Sequence, residues 1–152
     1  MKLHYSSEVS AASRLRKIRA VATALGLALE EVGYDATADV STISHLNSLP
    51  LLQTQEGTFF SSNTIVRYLG NSQGKLYGGD NFHNKTLIDQ WLDITVCDLE
   101  AAVAAVAVAA NGQNIDTAKV SEDIHKFLTV LEGQLNGKKF LVGGELSIAD
   151  LS

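Results

Sequence analysis

One cysteine, one proline and one tryptophan stand among 152 residues, and aromatic side chains make up only 7% of the chain. A lone thiol, Cys97, can neither close an internal disulfide nor build a cysteine-based metal site, so disulfide scaffolds and zinc modules are excluded. No leader stands ahead of Met1-Lys2-Leu3, where an alternating apolar segment begins at once, and a reducing, cytoplasmic setting is the expectation. Long apolar runs are missing too. The longest, Ala101 to Ala110, falls far short of the roughly 20 residues that span a bilayer. Lys and Arg number 12 against 17 Asp and Glu, and a pI near 5.3 argues against nucleic acid as the main partner, because phosphate binding relies on a net basic face. What remains is ordinary for a globular chain: 45% hydrophobic and 19% charged, enough for one domain or two small ones to bury a core.

Hydrophobic period divides this chain. Lys2 to Ser6 alternates as a short strand with Leu3 and Tyr5 on one side. Leu15, Ile18, Ala22 and Leu25 recur at helical spacing over 12–25, with Gly26 placed to end that helix. Ala28 to Val32 reads as a second strand, which closes a strand–helix–strand unit over a parallel pair. Residues 33–46 carry no clear period and are expected to be loop with at most a short helix. Leu51–Gln53 and Thr58–Phe60 flank Thr54-Gln55-Glu56-Gly57 as a hairpin, and Ile65, Val66 and Leu69 then face inward from a helix. The polar, glycine-rich stretch 70–80 suits a boundary, its glycines at 70, 74, 78 and 79 lacking a phosphate-loop pattern.

Beyond the boundary the pattern is helical throughout. Leu87, Trp91, Ile94 and Leu99 mark one face of a helix expected over 82–110, whose alanine-rich second half invites close packing against a neighbour. Val120, Ile124, Phe127, Leu128, Leu131 and Leu135 mark a second helix over 117–135, stopped by Asn136-Gly137. Ser147-Ile148-Ala149-Asp150 is a capping box between Leu146 and Leu151, the Ser side chain expected to accept from the backbone N–H three residues on. The order is therefore an α/β half, 1–76, a linker, 77–81, and an all-α half, 82–152.

This order resembles the glutathione transferase fold, a thioredoxin-like N-terminal half followed by an all-α C-terminal half. Three signatures carry the resemblance: LPLLQTQEGTFFSSNTIVRYL from Leu49 to Leu69, Gln90-Trp91-Leu92, and FLVGGELSIADL from Phe140 to Leu151. Because the last is similar to the family's buried sixth helix at its start, the resemblance implies a fold truncated there. It also implies a cis Leu49–Pro50 bond and, if glutathione is bound, contacts from Leu49, Pro50, Ser62 and Asn63, the serine holding a carboxylate at a helix N-terminus. Catalysis would need a hydroxyl or thiol near the end of the first strand to stabilise the glutathione thiolate. Tyr5, Ser6, Ser7 and Ser10 are the candidates. Their plainer roles are a half-buried strand tyrosine and serines capping the first helix.

Two departures point away from a working glutathione site. Ser61 stands where catalytic members carry glutamate or glutamine, and His45-Leu46-Asn47-Ser48 lacks the lysine that neighbours the glycyl carboxylate. The resemblance is nearest to the non-catalytic branch attached to translation: the gamma subunit of elongation factor 1B, the appended domain of methionyl-tRNA synthetase, and the scaffold proteins of multi-synthetase complexes. It implies a docking module that forms homo- or heterodimers with other such domains, translation factors or aminoacyl-tRNA synthetases, with Arg67 either at an interface or capping its own helix. No cofactor is implied, glutathione entering only if the chain is instead a transferase.

Other residues read more plainly. Arg14, Arg16, Lys17 and Arg19 are either a solvated face or a patch for an acidic partner. Cys97 is expected to be a packed, inert thiol and Trp91 a core residue, while His4, His45, His83 and His125 lack ligand spacing, so no metal site is expected.

Overall fold

A computed structural model describes residues 1–7, 12–35, 37–44, 46–110 and 116–152. The chain divides into two units, Met1–Asp80 with Leu151 and Asn81–Asp150 with Ser152.

In the first unit β1 (Lys2–Ser6) is followed by α1 (Ala12–Ala24), whose Leu15, Ile18, Val21 and Ala22 form a buried stripe. The helix ends in a Schellman motif. Gly26, at φ +66°, donates to the Thr23 carbonyl (3.0 Å), and the Leu27 N–H reaches the Ala22 carbonyl (2.9 Å). That motif uses up Leu27, so β2 is Glu30–Tyr34 rather than 28–32, and Glu30 N–H bonds the Met1 carbonyl at 3.0 Å. Among the described residues of 35–50 no regular helix forms, only turns: Ala38 donates to the Asp35 carbonyl, Ile43 and Ser44 to the Val40 carbonyl, and Asn47 to the Ser44 carbonyl.

β3 (Leu51–Gln53), β4 (Thr58–Phe60) and α2 (Ser62–Ser72) complete the unit. The sheet order is β2-β1-β3-β4, with β1 parallel to β2 and antiparallel to β3, and β3 antiparallel to β4. Register puts Leu3, Glu31, Leu52 and Phe59 in one row across all four strands, so they share a face. Both helices lie on that face: Arg19 of α1 reaches Glu31, and Tyr68 of α2 stacks on Phe59 at 4.4 Å between ring centroids. The core there is Leu3, Ile18, Val21, Leu52, Ile65, Val66 and Leu69, essentially all fully buried, each burial contributing about 1.5–3 kcal/mol.

The basic run on α1 is not one solvated face. Arg14 and Arg16 are exposed, but Lys17 is only 4% exposed and donates to Asn63 Oδ1 at 2.8 Å. Arg19 forks onto both Glu31 oxygens while its guanidinium lies over the Tyr5 ring, 5.4 Å from the centroid. Hydrogen bonding to Arg19 holds the Glu31 carboxyl below its ordinary value near 4.5. A lowered folded-state value means that the pair stabilises above pH 4.5, and that this contribution fades as pH falls through the depressed value. With Arg19 47% exposed, solvent screens the pair to less than about 1 kcal/mol. Glu31→Gln is therefore expected to leave the acid limb of a stability-versus-pH curve nearly unchanged and to cost a few tenths of a kcal/mol at neutral pH, as urea titrations across pH 3–7 can check.

In the second unit Asn81 caps α3 (Phe82–Ile94) by accepting from the Asn84 N–H at 3.1 Å. Its buried residues are Ile88, Trp91 and Leu92; Leu87 and Ile94 are half-buried, so the inward face is turned from the one the spacing suggested. The single helix expected over 82–110 is interrupted. Thr95–Glu100 winds as π-helix, beginning where Thr95 Oγ1 donates to the Trp91 carbonyl (2.8 Å) and competes with the helical hydrogen bond there. α4 (Ala101–Ala110) follows, then α5 (Thr117–Leu135), capped by Asp116 accepting from the Lys119 N–H.

α5 has the bounds its apolar spacing marked, but no residue of it is buried. Val120, Ile124, Phe127, Leu131 and Leu135 are half-buried and Leu128 is 49% exposed. Among the described residues α5 packs on the π-helical stretch and α4, where short alanine side chains cover little of a larger neighbour. Cys97 is likewise exposed rather than packed, because it sits on that interrupted stretch. The capping box also differs in detail. Asp150 Oδ2 accepts from Ser147 N–H and Oγ, both at 2.9 Å, but Ser147 Oγ accepts from Ala149 N–H (3.3 Å), two residues on instead of three.

Candidate functional site

Parallel β1 and β2 end at the same side of the sheet where antiparallel β3 begins and β4 ends. Topology thus gathers Tyr5, Ser6 and Ser7 from the end of β1, Leu49 and Pro50 before β3, and Ser62 and Asn63 after β4. All lie on one rim of the first unit. The Leu49–Pro50 bond is cis, and Pro50 is buried.

At the start of α2, Ser61 is the N-cap residue: its carbonyl accepts from Ile65 N–H at 3.0 Å. Its hydroxyl makes no cap hydrogen bond, and its backbone is left-handed at φ 70°, a conformation costing on the order of 1–3 kcal/mol for a residue with a Cβ. Ser62 and Asn63 are the first two helical residues, 5% and 7% exposed. A helix start presents backbone N–H groups and the positive end of the dipole, chemistry suited to a carboxylate. Asn63, however, commits its amide oxygen to Lys17, inward toward α1.

The hydroxyl candidates at the end of β1 stand in different surroundings. Tyr5 is half-buried and packs over Gly33, where an added Cβ would come within 3.2 Å of the phenol carbon and oxygen, with Arg19 over its ring. Ser6 is half-buried. Ser7 is exposed, and both its N–H and its Oγ donate to the Tyr34 carbonyl at 2.9 Å, extending the β1–β2 pairing. Ser10 and His45 lie outside the described residues. Arg67 is half-buried on α2.

Two polar features escaped the sequence reading. Lys17 lies four residues before Val21, which lies four before Leu25; that spacing on the apolar stripe was the signal for its burial. His4, only 5% exposed, joins Tyr34 Oη (3.0 Å) and Gln53 Oε1 (3.4 Å) across the other face of the sheet, a link between β2 and β3 that no local spacing reveals. Among the described residues no group of acidic, histidine or cysteine side chains could hold a metal ion, and no helix is long and apolar enough to cross a membrane.

Residues 96–152 match the family model of the glutathione S-transferase C-terminal domain. The delta-class glutathione transferase of Nilaparvata lugens superposes on the chain with a TM-score of 0.84 at 23% identity, covering 99% of this chain and 73% of its own. This is a glutathione S-transferase-like chain. Its mixed four-stranded sheet, two helices on one face and helical second unit are that fold. Relatives of the glutathione S-transferase-like chain are of two kinds. Elongation factor 1-gamma of Trypanosoma cruzi is 36% identical over 107 residues, 68% of this chain, and glutathione S-transferase 4 of Zea mays is 30% identical over 148 residues, 83% of this chain. The chain spans 26% and 66% of those two proteins' own lengths.

Proposed function

We propose that this chain is a docking module of the translation machinery, one that assembles elongation factor 1B or aminoacyl-tRNA synthetases in the cytoplasm and carries out no conjugation itself. The observation that carries this reading is the 36% identity to an elongation factor 1-gamma. The rim of the sheet supports it: Ser61 replaces an acid or amide, the oxygen of Asn63 is taken by Lys17, and the Ser7 hydroxyl is spent on a backbone carbonyl. Partners are other domains of this fold, met as a homo- or heterodimer, with Arg67 at the contact; neither nucleic acid nor membrane is bound directly.

A second reading, a glutathione transferase acting on small electrophiles, draws on the 30% identity to a plant glutathione S-transferase and on the cis-Pro50 and Ser62 pair. The two readings separate in one assay. With millimolar glutathione and 1-chloro-2,4-dinitrobenzene, the chain is expected to give no turnover above the uncatalysed rate, and Ser62→Ala to change nothing. A clear conjugation rate that falls about tenfold or more in Ser62→Ala, the loss of one charge-assisted hydrogen bond, would establish the transferase instead.

A further inference from the structure

With the order β2-β1-β3-β4, β2 is an edge strand of the sheet. Its pairing to β1 fixes which of its peptide groups are spent. At one end the Glu30 N–H donates to the Met1 carbonyl at 3.0 Å, and at the other the Tyr34 carbonyl accepts from the Ser7 N–H at 2.9 Å. Alternation along the strand then turns the backbones of Glu30, Val32 and Tyr34 toward β1, and the N–H and C=O of Glu31 and Gly33 out of the sheet. Both of these residues are exposed, and because Gly33 has no side chain its exposed atoms are backbone. Four hydrogen-bonding groups thus line the edge.

Edges of this kind are commonly guarded by proline, by a bulge or by free charge. β2 has none of these. Its register to β1 runs unbroken from Glu30 to Tyr34, and its two carboxylates are held within the unit, Glu30 by Lys2 at 2.9 Å and Glu31 by the fork of Arg19. The edge also matches itself. Laid antiparallel on a second β2 about a two-fold axis at Val32, Glu31 falls opposite the second copy's Gly33 and Gly33 opposite its Glu31, so all four outward groups of each edge find partners. The two half-buried Val32 side chains meet as a β-branched pair, and Glu30 stands opposite Tyr34 with no like charges directly opposed. Other registers lose this. A shift of two residues sets Glu31 against the second copy's Glu31 or its Asp35, and a shift of one turns outward groups against spent ones. We infer that β2 pairs antiparallel with β2 of a second copy, joining two four-stranded sheets into one. This contact goes beyond the docking reading above and is separate from Arg67 on α2.

Two strands of five residues make a contact of the weak, concentration-dependent class, so sedimentation velocity over roughly 5–500 µM is expected to show reversible dimerisation. Glu31→Pro removes an outward N–H, spares the ladder to β1 and should weaken the dimer about tenfold or more; Glu31→Gln keeps that N–H and should change it less than about twofold. Val32→Lys and Val32→Glu should each be monomeric alone and associate when mixed, because pairing about residue 32 sets the new charges opposite each other. In a Cys97→Ser background, Val32→Cys should oxidise to a covalent dimer, since directly opposed residues of a pair that is not hydrogen-bonded have Cα atoms about 4.5 Å apart, within reach of a disulfide. Circular dichroism matching the parent's shows that a variant is folded, and Glu31→Pro decides the matter if the Val32 variants are not. A chain that stays monomeric over the whole range overturns the pairing. So does a dimer that tolerates Glu31→Pro, or one that the Val32 variants leave intact while Arg67→Glu dissolves it, which would put the contact on α2.

Discussion

Asp150→Ala is expected to destabilise the chain by about 3–5 kcal/mol and to lower its thermal midpoint by roughly 10–15 °C, because one carboxylate there closes a loop from both ends. Asp150 Oδ1 accepts from the Leu141 N–H at 2.8 Å, nine residues upstream. Oδ2 accepts from the N–H and the hydroxyl of Ser147. Leu141 and Ser147 are both buried, so alanine would leave two backbone donors without partners, each costing about 1–3 kcal/mol. Gln134 Nε2 donates to the Leu141 carbonyl at 2.6 Å, so losing the Leu141 anchor also loosens the end of α5. Asp150→Asn should fall between, since its one oxygen can serve Leu141 or Ser147 but not both. Ser152→Ala, which removes only an exposed residue's bond to the Ile148 carbonyl, should shift stability by about 0.5 kcal/mol or less. Thermal unfolding followed at 222 nm, with hydrogen exchange at Leu141 and Ser147, measures all three. A loss below about 1 kcal/mol for Asp150→Ala would show that the loop is held by its apolar contacts alone.

That carboxylate also marks where reading the sequence succeeds and where it stops. Ser147-x-x-Asp150 was visible because both partners lie within one turn; Leu141 was not, because nothing local ties it to Asp150. The same division runs through the fold. The hairpin strands and the limits of α5 follow from signals inside each segment, a tight Thr54–Gly57 turn and an Asp116 cap, and the structure places them where those signals do. β2 starts two residues late because the Schellman motif at Gly26 and pairing to Met1 decide together, and only the second is non-local. α5 has a clear apolar period but no buried residue, since periodicity reports which face is apolar and not what covers it. At the rim of the sheet, strand order alone gathers Tyr5 to Ser7, Pro50 and Ser62. Which of their polar atoms are already spent depends on contacts such as Ser7 to Tyr34, 27 residues apart.

The contact spanning 46 residues between Lys17 and Asn63 yields the other large effect. A buried ammonium has three donors to satisfy, and the Asn63 oxygen takes one of them at 2.8 Å. Asn63→Ala removes that acceptor and leaves a charge in a site built around it, so a loss of about 2–4 kcal/mol is expected. Lys17→Met is a different change. It keeps an unbranched stem on the buried side of α1, one turn before Val21, takes the charge away, and removes one donor from a neutral oxygen, at a cost of about 1–2 kcal/mol. The order of the two, with the neutral partner the more damaging to lose, is the diagnostic feature. A surface lysine that merely touches Asn63 would give nearly nothing in either variant. Once the charge is gone the acceptor has less to do, so the double variant should be about 1–2 kcal/mol less destabilised than the two single losses combined. Urea unfolding of the four proteins supplies this cycle, and additivity within about 0.3 kcal/mol would mean that Lys17 and Asn63 are buried side by side without depending on each other. Because Asn63 is the second residue of α2, coupling of the predicted size would also identify Lys17 as the residue that pins the start of this helix, and with it Ser62, to α1.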